Sequence, residues 1–221
     1  MFQYETTLKS DAFGKIEKGL FIDDNNQTPA IRRVYTKNIL IKPLALLLAR
    51  NEKKALSRLM PLNSPYFPKL LSINSGSHVR SYIAGESMHH AQERLTPSLF
   101  KDSLHLLQTL KKAGVVNNDL AKEANWIITP QQTPCITDFQ LAYCPKNIKN
   151  KLFLILCYED LRHLLKHKKK YGEVTQKQTH ILNNKSLISQ VWMKTGKKVY
   201  RIITRKCLGW KERTGPEERD F

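Results

Sequence analysis

The opening 35 residues limit the fold more than any other stretch of this chain. "FGKIEKGLFIDDNNQTPAIRRVY" alternates polar and apolar residues around Gly14 and Gly19, pauses at the turn-forming "DDNNQ", and resumes with a β-branched segment. That pattern predicts short strands folding back on one another, because side chains of period two present one apolar and one polar face. The period then changes. In "PLALLLARNEKKALSRLM" (43–60), Leu44, Leu47, Leu48, Ala55, Leu56 and Leu59 recur near helical spacing. An antiparallel sheet followed at once by a helix excludes purely helical and purely β architectures.

The rest continues this reading. "SPYFPKLLSINSGSHVRSYIAG" predicts two strands joined at 74–76 and ending at Ala84-Gly85. "TPSLFKDSLHLLQTLKKAG" supplies Thr96 as a helix cap, Pro97 in the first turn and Gly114 as the stop. Residues 115–143 read as a loop and two short strands, and the chain from 152 onward as mostly helical. With 41% hydrophobic and 25% charged residues, composition suits a globular core and not a disordered chain. The apolar stretch "ILIKPLALLLA" is broken by Lys42 and Pro43 and is too short to span a bilayer. "MFQYETTLKSD" lacks the basic start and apolar run of a signal peptide, and Cys135, Cys144, Cys157 and Cys207 form no CxxC pair. These features predict a reduced, cytoplasmic chain, peripheral to the inner membrane surface at most.

Charge is uneven. The formal net charge is +18, and residues 146–221 hold 19 Lys and Arg against 7 Asp and Glu. Arg162, Lys166, Lys168, Lys169 and Lys170, followed by Lys197, Lys198, Arg201, Arg205 and Lys206, make this third the expected contact for an anionic partner: RNA, the ribosome or acidic lipid.

The chemistry-bearing stretch is "GVVNNDLAKEANWIITPQQTPCITDFQLAY" (114–143), where Asp119 and Asp138 each follow a short apolar run. Carboxylates placed after short strands project from loops at one sheet edge and can converge on one cleft. "NNDLAKEAN", "TDFQLA" and the later "EDLRHLLKHK" resemble motifs of small bacterial protein-kinase-like enzymes, the RIO-like and lipopolysaccharide-kinase-like group. The resemblance implies an α+β, two-lobed fold, with a strand-rich N-lobe over 1–84 and a mostly helical C-lobe over 85–221.

It also implies ATP, Mg²⁺ and a hydroxyl acceptor, either protein Ser/Thr or a lipopolysaccharide sugar. By this resemblance Asp119 is the base, Lys122 neutralises the moving phosphoryl group, and Asp138 with Asn125 holds the metal through oxygen. Arg32 stands where the family has its nucleotide-binding lysine, paired with Glu52, while Arg33 points to the opposite face. Gly14 and Gly19 would cover the phosphates, and Tyr82, Ile83 and Ala84 would line the adenine pocket. Asp160 resembles the aspartate that braces the catalytic loop. His163 and His167, four apart, are the alternative ligand pair, without an evident third.

Besides Arg32, four further departures accompany the resemblance. Asn117 replaces a histidine, Gln140 replaces a glycine, and no Ala-Pro-Glu follows. Asn125 lies six residues after Asp119, one more than in the kinase catalytic loop. They predict either a kinase without a flipping activation segment or an inactive, nucleotide-binding scaffold of the same fold. A basic RNA- or ribosome-associated module is the remaining alternative.

Overall fold

The computed structural model describes residues 1–23, 26–184 and 186. Strands β1 (Phe2–Asp11), β2 (Gly14–Asp23), β3 (Asn26–Tyr35), β4 (Leu70–Asn74) and β5 (Ser77–Ser81) form an antiparallel sheet in the order β1-β2-β3-β5-β4. Helix α1 (Lys42–Leu59) is inserted between β3 and β4. A second, three-stranded sheet joins β6 (Glu86–Ser87), β7 (Trp126–Ile128) and β8 (Pro134–Ile136). Around it lie α2 (Pro97–Lys112), α3 (Lys151–Tyr171) and α4 (Gln176–Asn183). The fold is thus mixed α+β, as the change of period predicts.

Local chemistry accounts for the boundaries. The Thr96 hydroxyl accepts the Leu99 N–H at the start of α2, and Gly114 follows its end at φ +69°, a conformation costly for other residues. Asn150 caps α3 by accepting from Phe153 N–H, and Thr175 forms a capping box with Gln178 on α4.

Gly14 and Gly19 do not share the loop expected of them. Gly14 closes a tight turn with Asp11, whereas Gly19 lies inside β2, paired with Tyr4 and Ala30. A Cβ on Gly14 would sit 1.9 Å from the Val34 carbonyl oxygen, and one on Gly19 would sit 2.0 Å from that of Gln3. Close approach of neighbouring strands therefore requires both glycines.

Helix α1 buries Ala45, Ala49, Glu52, Ala55, Leu56 and Leu59, while Leu44 and Leu47 face outward. The expected stripe thus holds in its second half, at Ala55, Leu56 and Leu59, whereas in its first half Ala45 and Ala49 take the inner face. Its inner end joins one continuous core: Ala55, Leu56 and Leu59 pack with Phe67, Phe100, Leu110, Leu120, Trp126 and Phe139. That core draws residues from both sides of residue 84. Asn51, Lys54 and Arg58, on successive turns of α1, donate to the carbonyls of Gln140, Cys144, and Gly114 and Pro145, so the helix is fastened to the segment after Asp138.

Among the described residues, no helix is long and apolar enough to cross a membrane. Cys135 and Cys144 are buried free thiols, and burial pushes Cys135 up to about 11. Cys207 and the basic residues from Lys197 to Lys206 lie outside the described residues.

Candidate active site

The loop 117–125 and the segment 137–140 meet through one amide. The Asn117 side chain, fully buried, donates from Nδ2 to the Asp138 carbonyl at 2.9 Å and the Thr137 carbonyl at 3.3 Å. Its Oδ1 accepts the Asp119 N–H at 3.1 Å. The backbones of both aspartates therefore hang on a single side chain. Underneath, buried Asp160 on α3 accepts the N–H groups of Asn117 at 3.0 Å and Asn118 at 3.1 Å. Burial pushes the Asp160 carboxyl up to about 7, against those two amides. The bracing expected of Asp160 is thus present in its contacts.

The Asp119 carboxylate faces Lys122 Nζ at 2.7 Å and Asn125 Nδ2 at 3.1 Å. Desolvation raises its pKa; Lys122 and Asn125 oppose the rise and the Asp138 charge adds to it. The two carboxylates thus feel each other. Asn125 also donates to the Asp119 carbonyl at 2.9 Å. Two successive turns, Lys122 N–H to the Asp119 carbonyl and Asn125 N–H to the Lys122 carbonyl, absorb the extra residue of the loop. Asn125 therefore reaches Asp119 despite the longer spacing.

Asp138 takes a left-handed conformation, φ 52°, as does Asn118 at φ 64°, positions where short polar residues are tolerated best. Gln140 closes one side of the Asp138 carboxylate: its Nε2 donates to Oδ1 at 2.9 Å. Oxygen donors suit Mg²⁺, and Asn125, with Nδ2 turned to Asp119, has Oδ1 as its remaining side-chain oxygen. Asp138 and Asn125 are side chains of these two segments with oxygen to offer a hard cation. The described residues contain no cluster of three or more His, Cys, Asp and Glu side chains suited to a metal ion. His167 Nε2 meets the Leu120 carbonyl at 2.8 Å and is engaged in the fold, whereas His163 Nδ1 is buried without a hydrogen-bond partner.

The cationic partner of Glu52 differs from expectation. Arg32 lies directly across from Glu17 on β2 and pairs with it at 2.7 Å, its guanidinium over the Phe2 ring. Arg33, opposite His78 on β5, turns to α1 and meets Glu52 at 3.3 Å. His78 Nε2 and Arg80 Nε each approach Glu52 at 3.2 Å. Alternation along a strand explains the correction: Arg33, His78 and Arg80 share the helix-facing side, and Arg32 does not. Burial would raise the Glu52 pKa, but Arg33, His78 and Arg80 overcome it and hold the carboxyl at about 2. The pairing of Arg33, His78 and Arg80 with Glu52 escapes the motif reading. The parity of Arg32 and Arg33 against the neighbouring strand is the sequence signal that could have found the first of them.

Tyr82, Ile83 and Ala84 do connect the two sheets, immediately after β5. The Tyr82 N–H is taken by the Pro29 carbonyl at 2.8 Å, so it is not open to a ligand.

The C-terminal basic residues are partly structural. Arg162, 1% exposed, pairs with Glu159 and donates to the carbonyls of Ile181 and Leu182 at the end of α4. Lys170 and Tyr171 bond Glu123 at 2.7 and 2.6 Å, and Lys168 bonds Gln178. A cavity of about 610 Å³ lies apart from both aspartates, between Thr96–Phe100 and Lys168–Thr175. A scan against models of protein families gives no match, and no curated protein matches the sequence significantly.

Proposed function

We propose that this chain is an ATP- and Mg²⁺-dependent phosphotransferase of protein-kinase-like type, acting on a hydroxyl of a protein Ser/Thr or a lipopolysaccharide sugar. The observation that carries the reading is the Asn117 amide joining the backbones of Asp119 and Asp138 over buried Asp160. Phosphoryl transfer asks little covalent chemistry of a protein and much positioning, and two carboxylates locked to one amide are positioned. The strand order, with α1 between β3 and β4, supports a two-lobed reading of the fold.

In this proposal Asp119 orients the acceptor hydroxyl and takes its proton as the new oxygen–phosphorus bond forms and the bond from the γ-phosphorus to the bridging oxygen breaks, releasing ADP. Its raised pKa suits a base. Lys122, half-exposed, swings from Asp119 toward the transferred phosphoryl group. Asp138 and Asn125 would hold Mg²⁺, which when bound neutralises phosphate charge. Arg33 takes the nucleotide-binding role expected of Arg32, because it stands on the α1 side beside Glu52.

A second reading, a nucleotide-binding scaffold without transfer, is favoured by the tight Asp11–Gly14 turn, which offers no glycine-rich loop over phosphates. One experiment separates the two. ATP turnover is measured with Mg²⁺, alone and with protein and lipopolysaccharide acceptors, beside calorimetric nucleotide binding. Asp138→Ala abolishes turnover and weakens Mg²⁺-dependent binding. Asp119→Asn leaves binding nearly intact and slows transfer by roughly 10²–10⁴-fold. Turnover unchanged by Asp138→Ala overturns the enzyme reading, and binding without turnover in the wild type supports the scaffold.

A further inference from the structure

Helix α1 is built with its large side chains outside. Against the sheet it places Ala45 and Ala49, while Leu44, Leu46 and Leu47 are exposed. In the turn before it, Ile39 and Leu40 are 84% and 90% exposed. Leu44 and Leu47, three apart, share one face of α1, and Ile39 and Leu40 precede it in the turn that leads into the helix. Single exposed aliphatics are ordinary; a contiguous set at the tip of one element marks a contact surface.

The charge around this set selects what covers it. Residues 26–51 contain no Asp or Glu and carry Arg32, Arg33, Lys37, Lys42 and Arg50. Lys37 and Lys42 bracket Ile39 and Leu40 along the chain, Arg50 follows on α1, and all three are exposed. A second copy of a chain with net charge +18 would bring the same sign to this face. The chain's own residues 187–221, with nine Lys and Arg against four Asp and Glu, would do the same. Nucleic acid matches the charge but not the aliphatics, since bases stack on aromatic rings and residues 36–51 contain none. A surface that is anionic outside and apolar just beneath matches both properties.

We propose that the 37–50 tip docks on an anionic lipid surface, with Ile39 and Leu40 entering below the headgroups and Lys37 and Lys42 at the phosphates. Leu44 and Leu47 continue the contact along α1. The proposal does not depend on phosphoryl transfer, and its test does not read activity.

The test uses the full chain and vesicles of phosphatidylcholine with and without phosphatidylglycerol, read by sedimentation. Wild type binds the anionic vesicles, and added salt weakens the binding. Ile39→Gln with Leu40→Gln leaves the net charge at its full value and lowers partitioning at least about tenfold, because apolar insertion is what the variant removes. Both side chains are almost fully exposed, so the thermal midpoint stays put, and circular dichroism checks it. Lys37→Gln with Lys42→Gln weakens binding and flattens its salt dependence. Absence of vesicle binding overturns the proposal, as does equal binding to phosphatidylcholine alone or binding that the Ile39/Leu40 variant leaves unchanged. A dimer dispersed by that variant, seen by sedimentation velocity, assigns the face to a second copy and overturns it. RNA binding abolished in the same variant overturns it too.

Discussion

Glu52 is a carboxylate with no exposed surface, met by Arg33, His78 and Arg80 at 3.2–3.3 Å. Such a group is stable only while its partners are in place, and removing one leaves uncompensated charge in the interior. Its pKa, held at about 2, lies below that of an unfolded glutamate. A depressed carboxylate stabilises the fold fully above its unfolded pKa, and the contribution disappears as pH falls through the folded value. Glu52→Gln therefore costs about 3–5 kcal/mol at neutral pH, measured by denaturant unfolding. The wild type's advantage shrinks between pH about 4.5 and about 2. A gap between the two proteins that stays constant over that window contradicts the assignment. The same cluster separates two adjacent arginines. Arg33→Ala weakens ATP binding on the proposed function, whereas Arg32→Ala, which releases Glu17 and the Phe2 ring, leaves it nearly unchanged; the reverse order restores Arg32 to the site. Sequence order identified the glutamate but not its partner. The choice depends on which of two neighbouring side chains faces the helix, and that parity is set by the register of β3 with β2 and β5.

At the scale of elements, most boundaries were readable because local chemistry sets them: Thr96, Pro97 and Gly114 delimit α2, and 74–76 turns β4 into β5. The outward facing of Leu44 and Leu47 on α1 was not readable. A helix that is leucine-rich on more than one face offers several apolar sides, and tertiary contacts decide among them. Here Asn51, Lys54 and Arg58 decide, by donating to carbonyls of the 140–145 segment and Gly114. Arg58 contributes two of these bonds, at 2.8 and 2.6 Å, to carbonyls far apart in sequence. Charge-assisted bonds of this kind contribute about 1.5–3 kcal/mol. Arg58→Ala should lower stability by about that amount and speed amide exchange at Val115 and Val116, which follow Gly114. Exchange that is unaltered there would mean α1 is not what holds this loop. The meeting of the Asp119–Asn125 loop with the Asp138 segment follows from the sequence reading that both aspartates sit in loops after short strands, and Asn117 joins the two. Less legible was the reason the long Asp119–Asn125 spacing works. Two consecutive turns shorten it, and their hydrogen bonds leave no mark in residue type.

Over the whole molecule, charge exceeds what any one site needs. The formal value is +18, and α3 consumes part of it internally: Arg162 closes α4, Lys168 holds Gln178, and Lys170 holds Glu123 next to Lys122. Reversing Lys168, Lys169 and Lys170 together would therefore disturb the loop carrying Asp119 as well as any partner. Lys146, Lys149 and Lys151 make the cleaner probe. They are exposed, lie in the same basic third, and flank the exposed Ile148. Exposed charges act over a screening length of about 8–10 Å near physiological salt, so three lysines within six residues act as one source. Changing all three to Glu moves the net charge by six units and leaves the Asn117–Asp160 contacts untouched. The expected outcome is weaker association with anionic vesicles and with RNA at low salt. The slope of log affinity against log salt becomes shallower by roughly 0.7–0.9 for each nucleic-acid phosphate that is no longer neutralised. Acceptor-independent ATP hydrolysis, if the proposed activity is present, stays at the wild-type rate. An unchanged slope on both ligands would show that this stretch makes no polyanion contact. A slope that falls for vesicles alone would place Lys146, Lys149 and Lys151 with the 37–50 tip in one lipid-facing surface.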